Sequence, residues 1–167
     1  MFGASLESDV HKVLKRHSRS RKDIILSDIT LQFKKETVHI DHVYIGSFGI
    51  LLVDVYDFHG SLYGNEKDPN WAYYEKDDKT AIKNPIIDLN EKNGILREIF
   101  AAEKIYKLEY DCAAVVPANT KTLELYAKSK TLMRLNEFKK YISRSSFDED
   151  KGVNKENVAS AIKKYMV

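Results

Sequence analysis

The stretch from Thr37 to Tyr56, TVHIDHVYIGSFGILLVDVY, determines the fold class that the sequence predicts. Residues 37–45 and 50–56 are rich in β-branched and aromatic side chains, which predicts two strands. Gly46-Ser47-Phe48-Gly49 separates them and is typical of a turn. We therefore expect a β-hairpin at the centre of the fold.

Asp41 lies inside the first predicted strand, in the segment VHIDHVYI. Successive side chains of a strand point to opposite faces. Strict alternation places Asp41 on one face with His39, Val43 and Ile45, and places its neighbours on the other face (Val38, Ile40, His42 and Tyr44). At most one of the two histidines can then lie on the face of Asp41, and His39 is the candidate for contact with water or phosphate.

Asp54 interrupts the very apolar second strand, GILLVDVY, and shares a face with Ile50, Leu52 and Tyr56. A buried acid is costly unless it is paired, neutralised or bound to a metal. Two acids on adjacent strands can converge on one divalent cation, and oxygen ligands suit Mg²⁺ or Mn²⁺. The alternative is structural: Asp41 bonds a local backbone group and Asp54 pairs with a nearby lysine or arginine.

The rest of the chain predicts a mixed sheet flanked by helices. Apolar spacing favours an amphipathic helix over residues 5–17, and Asn84-Pro85 suits the start of a long helix. Further strands are expected over 24–33, 60–64, 71–75, 111–117 and 123–126, and further helices over 136–144 and 155–166. The order of these elements predicts an α/β fold with antiparallel strands before the long helix and a buried strand after it.

Composition limits the class of protein. The 167 residues suit one domain spanning 1–167, and 43% apolar residues indicate a globular chain. No apolar run is long enough for a membrane span, and the first residues lack the apolar stretch of a signal peptide. A single cysteine, Cys112, excludes an internal disulfide framework. We therefore expect a cytoplasmic protein without a membrane partner.

Charge is distributed unevenly although the net charge is only +2. Residues 11–22 contain six basic residues and no acid, and a second basic bias runs from Lys121 to Arg144. The middle of the chain is rich in acids, so basic flanks could hold a polyanion against an acidic centre. The candidates for nucleic-acid binding are Lys15, Arg16, Arg19 and Arg21, and the alternative for each cluster is a solvated surface.

Several motifs in a fixed order resemble the NERD (nuclease-related) family of the PD-(D/E)XK superfamily. They begin with Gly3 and Glu7 and continue through DITL, HIDHVYIGSFGILLVDV, HGSLYG, Trp71 and Lys83-Asn84-Pro85. The VPAN segment and the helix near 135–142 also fall at the family's positions, so the resemblance covers about residues 3–142. It leaves about 143–167 as a helical extension and implies a restriction-endonuclease-like core.

The resemblance implies that Glu7, Asp41 and Asp54 occupy metal-ligand positions. Two departures from the family pattern change the expected site. Tyr56 stands where the family has a lysine that supplies positive charge beside the metal, and Asp88 replaces a neutral amide in the NPxxQ motif.

Lys92 lies four residues after Asp88, on the same helical face. It could reach back and replace the missing lysine, but we expect it to pair with Asp88 on the surface. The sequence thus predicts a nuclease that hydrolyses DNA with Mg²⁺ or Mn²⁺, with Asp41, Asp54, Tyr56 and Lys92 in the catalytic site. The alternative is a degenerate nuclease fold that binds nucleic acid or a protein without cutting, and a homodimer stays open.

Overall fold

The computed structural model describes residues 5–120, the backbone of 122–125, and residues 130–167. Four α-helices are found in these residues: α1 (Leu6–Ser18), α2 (Pro85–Ala102), α3 (Leu135–Ile142) and α4 (Lys155–Lys163). A short 3₁₀ helix spans Ser145–Asp148. The strands are β1 (Ile24–Phe33), β2 (Glu36–Gly46), β3 (Gly49–Val55), β4 (Ser61–Gly64), β5 (Asn70–Glu75), β6 (Asp78–Lys83), β7 (Tyr110–Val116), β8 (Thr122–Leu125) and β9 (Leu132–Arg134).

The strands form two sheets. The larger has the order β1-β2-β3-β7-β9, and the smaller has the order β6-β5-β4-β8. In the larger sheet β1, β2 and β3 are antiparallel neighbours, whereas β7 runs parallel to β3 and to β9. The predicted mixed sheet flanked by helices is therefore confirmed, and the predicted hairpin is the β2–β3 pair.

Helices cover both faces of the larger sheet. Leu6, Val10 and Leu14 of α1 pack with α3 against one face, where Leu51 and Val53 project from β3. Helices α2 and α4 cover the other face, where Ile50 and Leu52 project from β3. Asp54 continues the alternation of Ile50 and Leu52, and it therefore points towards α2.

Asn84 fixes the start of α2. Its side-chain oxygen accepts from the N–H of Ile86 at 2.8 Å, which satisfies a donor of the first turn. Its side-chain nitrogen donates to the carbonyls of Glu66 and Asp68, both at 2.8 Å, in the loop before β5. Pro85 follows at the first helical position, as the sequence predicts.

The alternation predicted for β2 is wrong at one point. Val38 and Ile40 pack into the same core layer as Val43 and Ile45, so the strand changes phase at Asp41. The neighbouring residue of β1, Asp28, has a positive φ of 51°. Pairing between the strands runs from Ser27↔His42 directly to Ile29↔Ile40, leaving Asp28 and Asp41 unpaired.

Other differences from the sequence prediction are small. Strands β6 and β9 were not predicted. The predicted helices over 136–144 and 155–166 are shorter, since α3 ends at Ile142 and α4 at Lys163. The predicted strand over 123–126 corresponds to β8, with Tyr126 lying outside the described residues. No helix in the described part of the chain is both long and apolar enough to cross a membrane.

Candidate functional site

The two acids of the hairpin are held against each other by backbone hydrogen bonds. The N–H of Asp41 donates to Asp54 Oδ1 at 2.9 Å, and the N–H of Val55 donates to Asp41 Oδ2 at 2.8 Å. Each carboxylate therefore has one oxygen bound to the opposite strand. The β2–β3 pairing ends at His42↔Val53, so these two N–H groups lie just beyond it and bond carboxylates instead of backbone carbonyls.

Lys92 of α2 reaches this pair of acids. Its Nζ lies 2.5 Å from Asp54 Oδ2 and 3.3 Å from Asp88 Oδ2. The Lys92 side chain is 16% exposed and that of Asp54 is 4% exposed, so the contact is largely shielded from water. The expectation that Lys92 pairs with Asp88 on the surface is corrected in one respect. Lys92 does pair with Asp88, but its side chain is largely buried and also pairs with Asp54.

Tyr56 continues from β3 towards the same helix. Its hydroxyl donates to Asp88 Oδ2 at 2.8 Å, and it lies 3.4 Å from the carbonyl oxygen of Pro85. Asp88 thus accepts bonds from Tyr56 and Lys92, while Lys83 Nζ lies 3.4 Å from its other oxygen. The aspartate that departs from the family's NPxxQ pattern is the acceptor that orients the tyrosine replacing the family's lysine.

The surroundings change the proton affinities of these groups. Burial raises the pKa of Asp54, although Lys92 and the N–H of Asp41 oppose the shift. Burial alone would lower the pKa of Lys92, but the charge of Asp54 and its hydrogen bond raise that pKa above its ordinary value. Burial and the charge of Asp54 raise the pKa of Tyr56, so its phenol stays neutral at physiological pH.

Asp88 behaves differently from Asp54. Burial would raise its pKa, but the hydrogen bond from Tyr56 and the charge of Lys92 lower it. A carboxylate that accepts charge-assisted hydrogen bonds is stabilised in its ionised form. Asp88 is therefore an anion that fixes Tyr56 and Lys92 in place.

A groove of about 750 Å³ opens beside this cluster. Part of β2, including His39, forms one side, and α2 forms the other with Asp88 and Lys92. His39 Nε2 lies 2.6 Å from Asp28, and its Nδ1 lies 3.7 Å from Asp41 Oδ1. The predicted candidate His39 therefore lies at the groove and contacts the acid at the strand break.

Glu7 does not join this cluster. It is exposed on α1 and lines a separate cavity of about 320 Å³ with His11, Ser27 and His42. Ser27 Oγ lies 2.8 Å from His42 Nδ1 and 3.2 Å from His11 Nδ1. Burial and nearby His11 lower the pKa of His42 to about 4, so this buried ring is neutral at pH 7.

The predicted nucleic-acid-binding residues lie at the C-terminal end of α1 and just after it. Lys15, Arg16 and Arg19 are exposed, whereas Arg21 is half-buried. Arg21 pairs with Asp148 and donates to the carbonyl of His17 at 2.8 Å. Because α1 covers the sheet face opposite α2, these residues do not flank the acids as the sequence suggested.

The acid pair has the donor chemistry that a divalent ion needs. Asp41 and Asp54 offer hard oxygen donors, and Mg²⁺ is commonly held by one or two carboxylates with water or substrate phosphate completing its shell. Within the described residues there is no group of three or more histidine, cysteine or acidic side chains arranged to hold a metal. The pair therefore fits an ion with two protein carboxylates, and the three-ligand set with Glu7 is not assembled.

A mixed sheet flanked by helices, with paired acids on the central hairpin and a lysine against them, is consistent with a nuclease-like α/β protein. The sequence matches the model of the nuclease-related domain (NERD) family over residues 2–117. The chain therefore belongs to the nuclease-related domain family.

One curated relative is an uncharacterised protein of Bacillus anthracis. It is 27% identical to this chain over 111 residues, which is 64% of this chain and 50% of that protein. The chain thus spans half the length of the curated relative that it matches. The comparison with solved structures found no significant match.

Proposed function

We propose that this chain is a metal-dependent nuclease that hydrolyses phosphodiester bonds in DNA, with Lys92 in the role of the family's lysine. One observation carries the proposal: Lys92 Nζ lies 2.5 Å from Asp54 Oδ2, beside the acid pair and at a groove. Membership of the nuclease-related domain family supports the class of reaction. The reaction, its metal and its substrate are all part of the proposal.

Asp41 and Asp54 are the residues that would hold Mg²⁺ or Mn²⁺. Such an ion, when bound, polarises the phosphate and lowers the pKa of a bound water. Asp54 Oδ2, which now contacts Lys92, and Asp41 Oδ1, which faces His39, are the oxygens without a bond to the opposite strand. Lys92 would move from pairing with Asp54 to facing the substrate.

Lys92 supplies the fixed positive charge that residue 56 lacks. Its raised pKa keeps it protonated, so it can stabilise negative charge that develops on a phosphate oxygen. Asp88 holds the ammonium from the helix side at 3.3 Å, and the hydroxyl of Tyr56 fixes Asp88. Tyr56 therefore orients the charged groups and, being neutral, contributes no charge itself.

The test is cleavage of plasmid and single-stranded DNA with Mn²⁺, Mg²⁺ or EDTA. We expect metal-dependent cutting that is lost in Asp54→Asn. Lys92→Gln should cut roughly 10²–10³-fold more slowly, the usual cost of one preorganised electrostatic group.

The matched control is Lys151→Gln, which removes an ion-paired lysine away from the groove. Lys151 lies 2.5 Å from Glu109, and its loss should leave the cutting rate unchanged within a few-fold. Far-ultraviolet circular dichroism of each variant shows whether the fold is retained. The proposal is wrong if the intact protein cuts under none of the metal conditions, or if Lys92→Gln cuts like the parent.

The hydrogen bonds and ion pairs within the cluster around Lys92 favour a second function. Tyr56, Asp88, Lys92 and Asp54 satisfy one another, so the family's catalytic charge is already neutralised by ion pairs. A degenerate nuclease fold of this kind would bind nucleic acid or a protein without cutting. Retardation of labelled DNA without cleavage in any metal would support this second function over the first.

A further inference from the structure

A second groove lies between α1 and α3. It has a volume of about 410 Å³, and basic side chains line it: Arg16 of α1, Arg21 just after α1, and Lys139 of α3. Val13 and Ile142 form the apolar part of its lining. The two helices pack on the same face of the larger sheet, through Leu14 and Phe138, so the walls of the groove are fixed.

The cations of this groove are not all neutralised. Arg21 is paired with Asp148, but neither Arg16 nor Lys139 lies within 4.0 Å of an acidic oxygen among the described residues. His17 also lines the groove, and its buried Nε2 has no hydrogen-bond partner in the part of the chain that the structure describes. The groove therefore offers two cations without acidic partners among the described residues.

The surroundings of the groove add to its positive charge. Further basic residues of the same two helices are exposed (Lys12, Lys15 and Lys140), as is Arg19 just after α1, and together with Arg16 and Lys139 they are called the basic surface. The C-terminal ends of α1 and α3 oppose this charge, but each contributes only about half a negative charge. The full charges of these side chains, with those of Arg16 and Lys139, outweigh both helix ends.

The basic surface is separated from the acid pair by the sheet. Asp54 points to the face covered by α2, whereas α1 and α3 cover the opposite face. The groove beside the acid pair has an excess of acids, since Glu36, Asp88, Glu91 and Glu98 line it with only two lysines, Lys83 and Lys92. Without a metal ion, a polyanion would therefore gain more electrostatic attraction at the basic surface than beside the acid pair.

We infer that the basic surface of α1 and α3 binds the sugar–phosphate backbone of a nucleic acid, independently of the acid pair. The inference rests on the proposed function for the class of ligand and adds the place where that ligand is held. Spaced cations along two rigid helices suit regularly spaced phosphates, and Arg16 and Lys139, which both line the groove, are the cations that would contact them. A chain held there reaches the acid pair only by passing around an edge of the sheet.

The test measures binding of a fluorescein-labelled 20-base-pair duplex and a 20-nucleotide single strand by anisotropy, in EDTA over a salt series. The double variant Arg16→Gln/Lys139→Gln should bind the preferred form at least roughly tenfold more weakly at about 0.1 M salt. The slope of the logarithm of the association constant against log salt should become less steep by about two, one for each lost phosphate contact. Asp54→Asn should bind like the parent, because the acid pair lies on the other face.

The matched control is Lys35→Gln/Lys163→Gln. It removes the same number of charges from exposed lysines outside the basic surface, in the β1–β2 turn and on α4. Its affinity and salt slope should stay close to those of the parent. An equal loss in both double variants would mean that only net charge matters, and it would overturn the inference.

Three other results would also overturn it. They are the absence of binding by the parent, unchanged binding by Arg16→Gln/Lys139→Gln, and equal binding of poly-glutamate at matched salt, which would indicate an acidic protein partner. The binding test is independent of the cleavage test, because EDTA removes any metal and binding is then measured without cutting. Binding at this surface without cutting by the intact protein would refute the proposed nuclease and leave the basic surface supported.

Discussion

At position 56 the chain has a tyrosine where its family pattern has a lysine, and an ammonium reaches the same acids from α2. The two arrangements differ in what holds the charge in place. A lysine on β3 would be fixed by the strand, whereas Lys92 is fixed by Asp54 and Asp88. The position of the cation therefore depends on acids that it also neutralises.

Replacing Lys92 by methionine should destabilise the fold strongly. Asp54 is buried, and removing the partner of a buried ion pair leaves an uncompensated charge that costs about 3 kcal/mol. The measurement is the free energy of unfolding from urea titration at pH 7. The double variant Lys92→Met/Asp54→Asn removes the unpaired charge and should recover part of the loss. A double variant that is less stable than Lys92→Met would contradict this account.

The spacing of residues predicted the contact of Lys92 with Asp88 but not its depth. Residues four apart share a helical face, which is a local property of α2. Contact with Asp54 depends on how α2 packs against β3. Residue spacing within a single sequence does not predict the packing of two distant elements. The same reason explains Glu7, whose position relative to the hairpin depends on the sheet face that α1 covers.

At the scale of elements, regular patterns were predictable and their interruptions were not. The hairpin and the start of α2 follow from strand composition and capping residues. Strand β6 was not predicted because its residues are nearly all exposed, and β9 was not predicted because it has only three residues. The phase change of β2 was not predicted because it coincides with a backbone conformation at Asp28 in the neighbouring strand, which the sequence pattern of β2 does not show.

The break at Asp28 can be tested by substitution. Asp28 is exposed and has φ of 51°, a conformation that glycine adopts freely and a β-branched residue resists. We expect Asp28→Val to lower the free energy of unfolding by about 1–3 kcal/mol and Asp28→Gly to lower it much less. Urea titration of both variants gives the comparison. Equal losses would show that the contact with His39, not the backbone, is the important feature of Asp28.

At the scale of the whole molecule, the two sheets share one apolar core. Leu62 and Trp71 from the smaller sheet belong to the same buried cluster as Ile99 of α2 and Ile162 of α4. The family match ends at residue 117, yet α4 contributes to this core from beyond it. That residues 1–167 fold as one domain stays a prediction, and the shared core gives the physical reason to expect it.

The single tryptophan makes this prediction measurable. Trp71 is 2% exposed, so its fluorescence reports unfolding around the smaller sheet, while far-ultraviolet circular dichroism reports all elements. We expect both signals to change at the same urea concentration. Ile162→Ala should lower both midpoints together by a loss of about 2–5 kcal/mol. Separate midpoints, or a shift in only one signal, would indicate more than one folding unit.

The residues after α4 return to the larger sheet and bond its outer strand. Gln32 N–H donates to the carbonyl of Tyr165 at 2.9 Å, and Val167 N–H donates to the carbonyl of Thr30 at 3.0 Å. An outer strand with free N–H and C=O groups is a template on which another chain can polymerise. Residues 165–167 hydrogen-bond to part of the edge of β1, so they prevent another chain from pairing with that part. Loss of these two hydrogen bonds would expose the edge and favour aggregation.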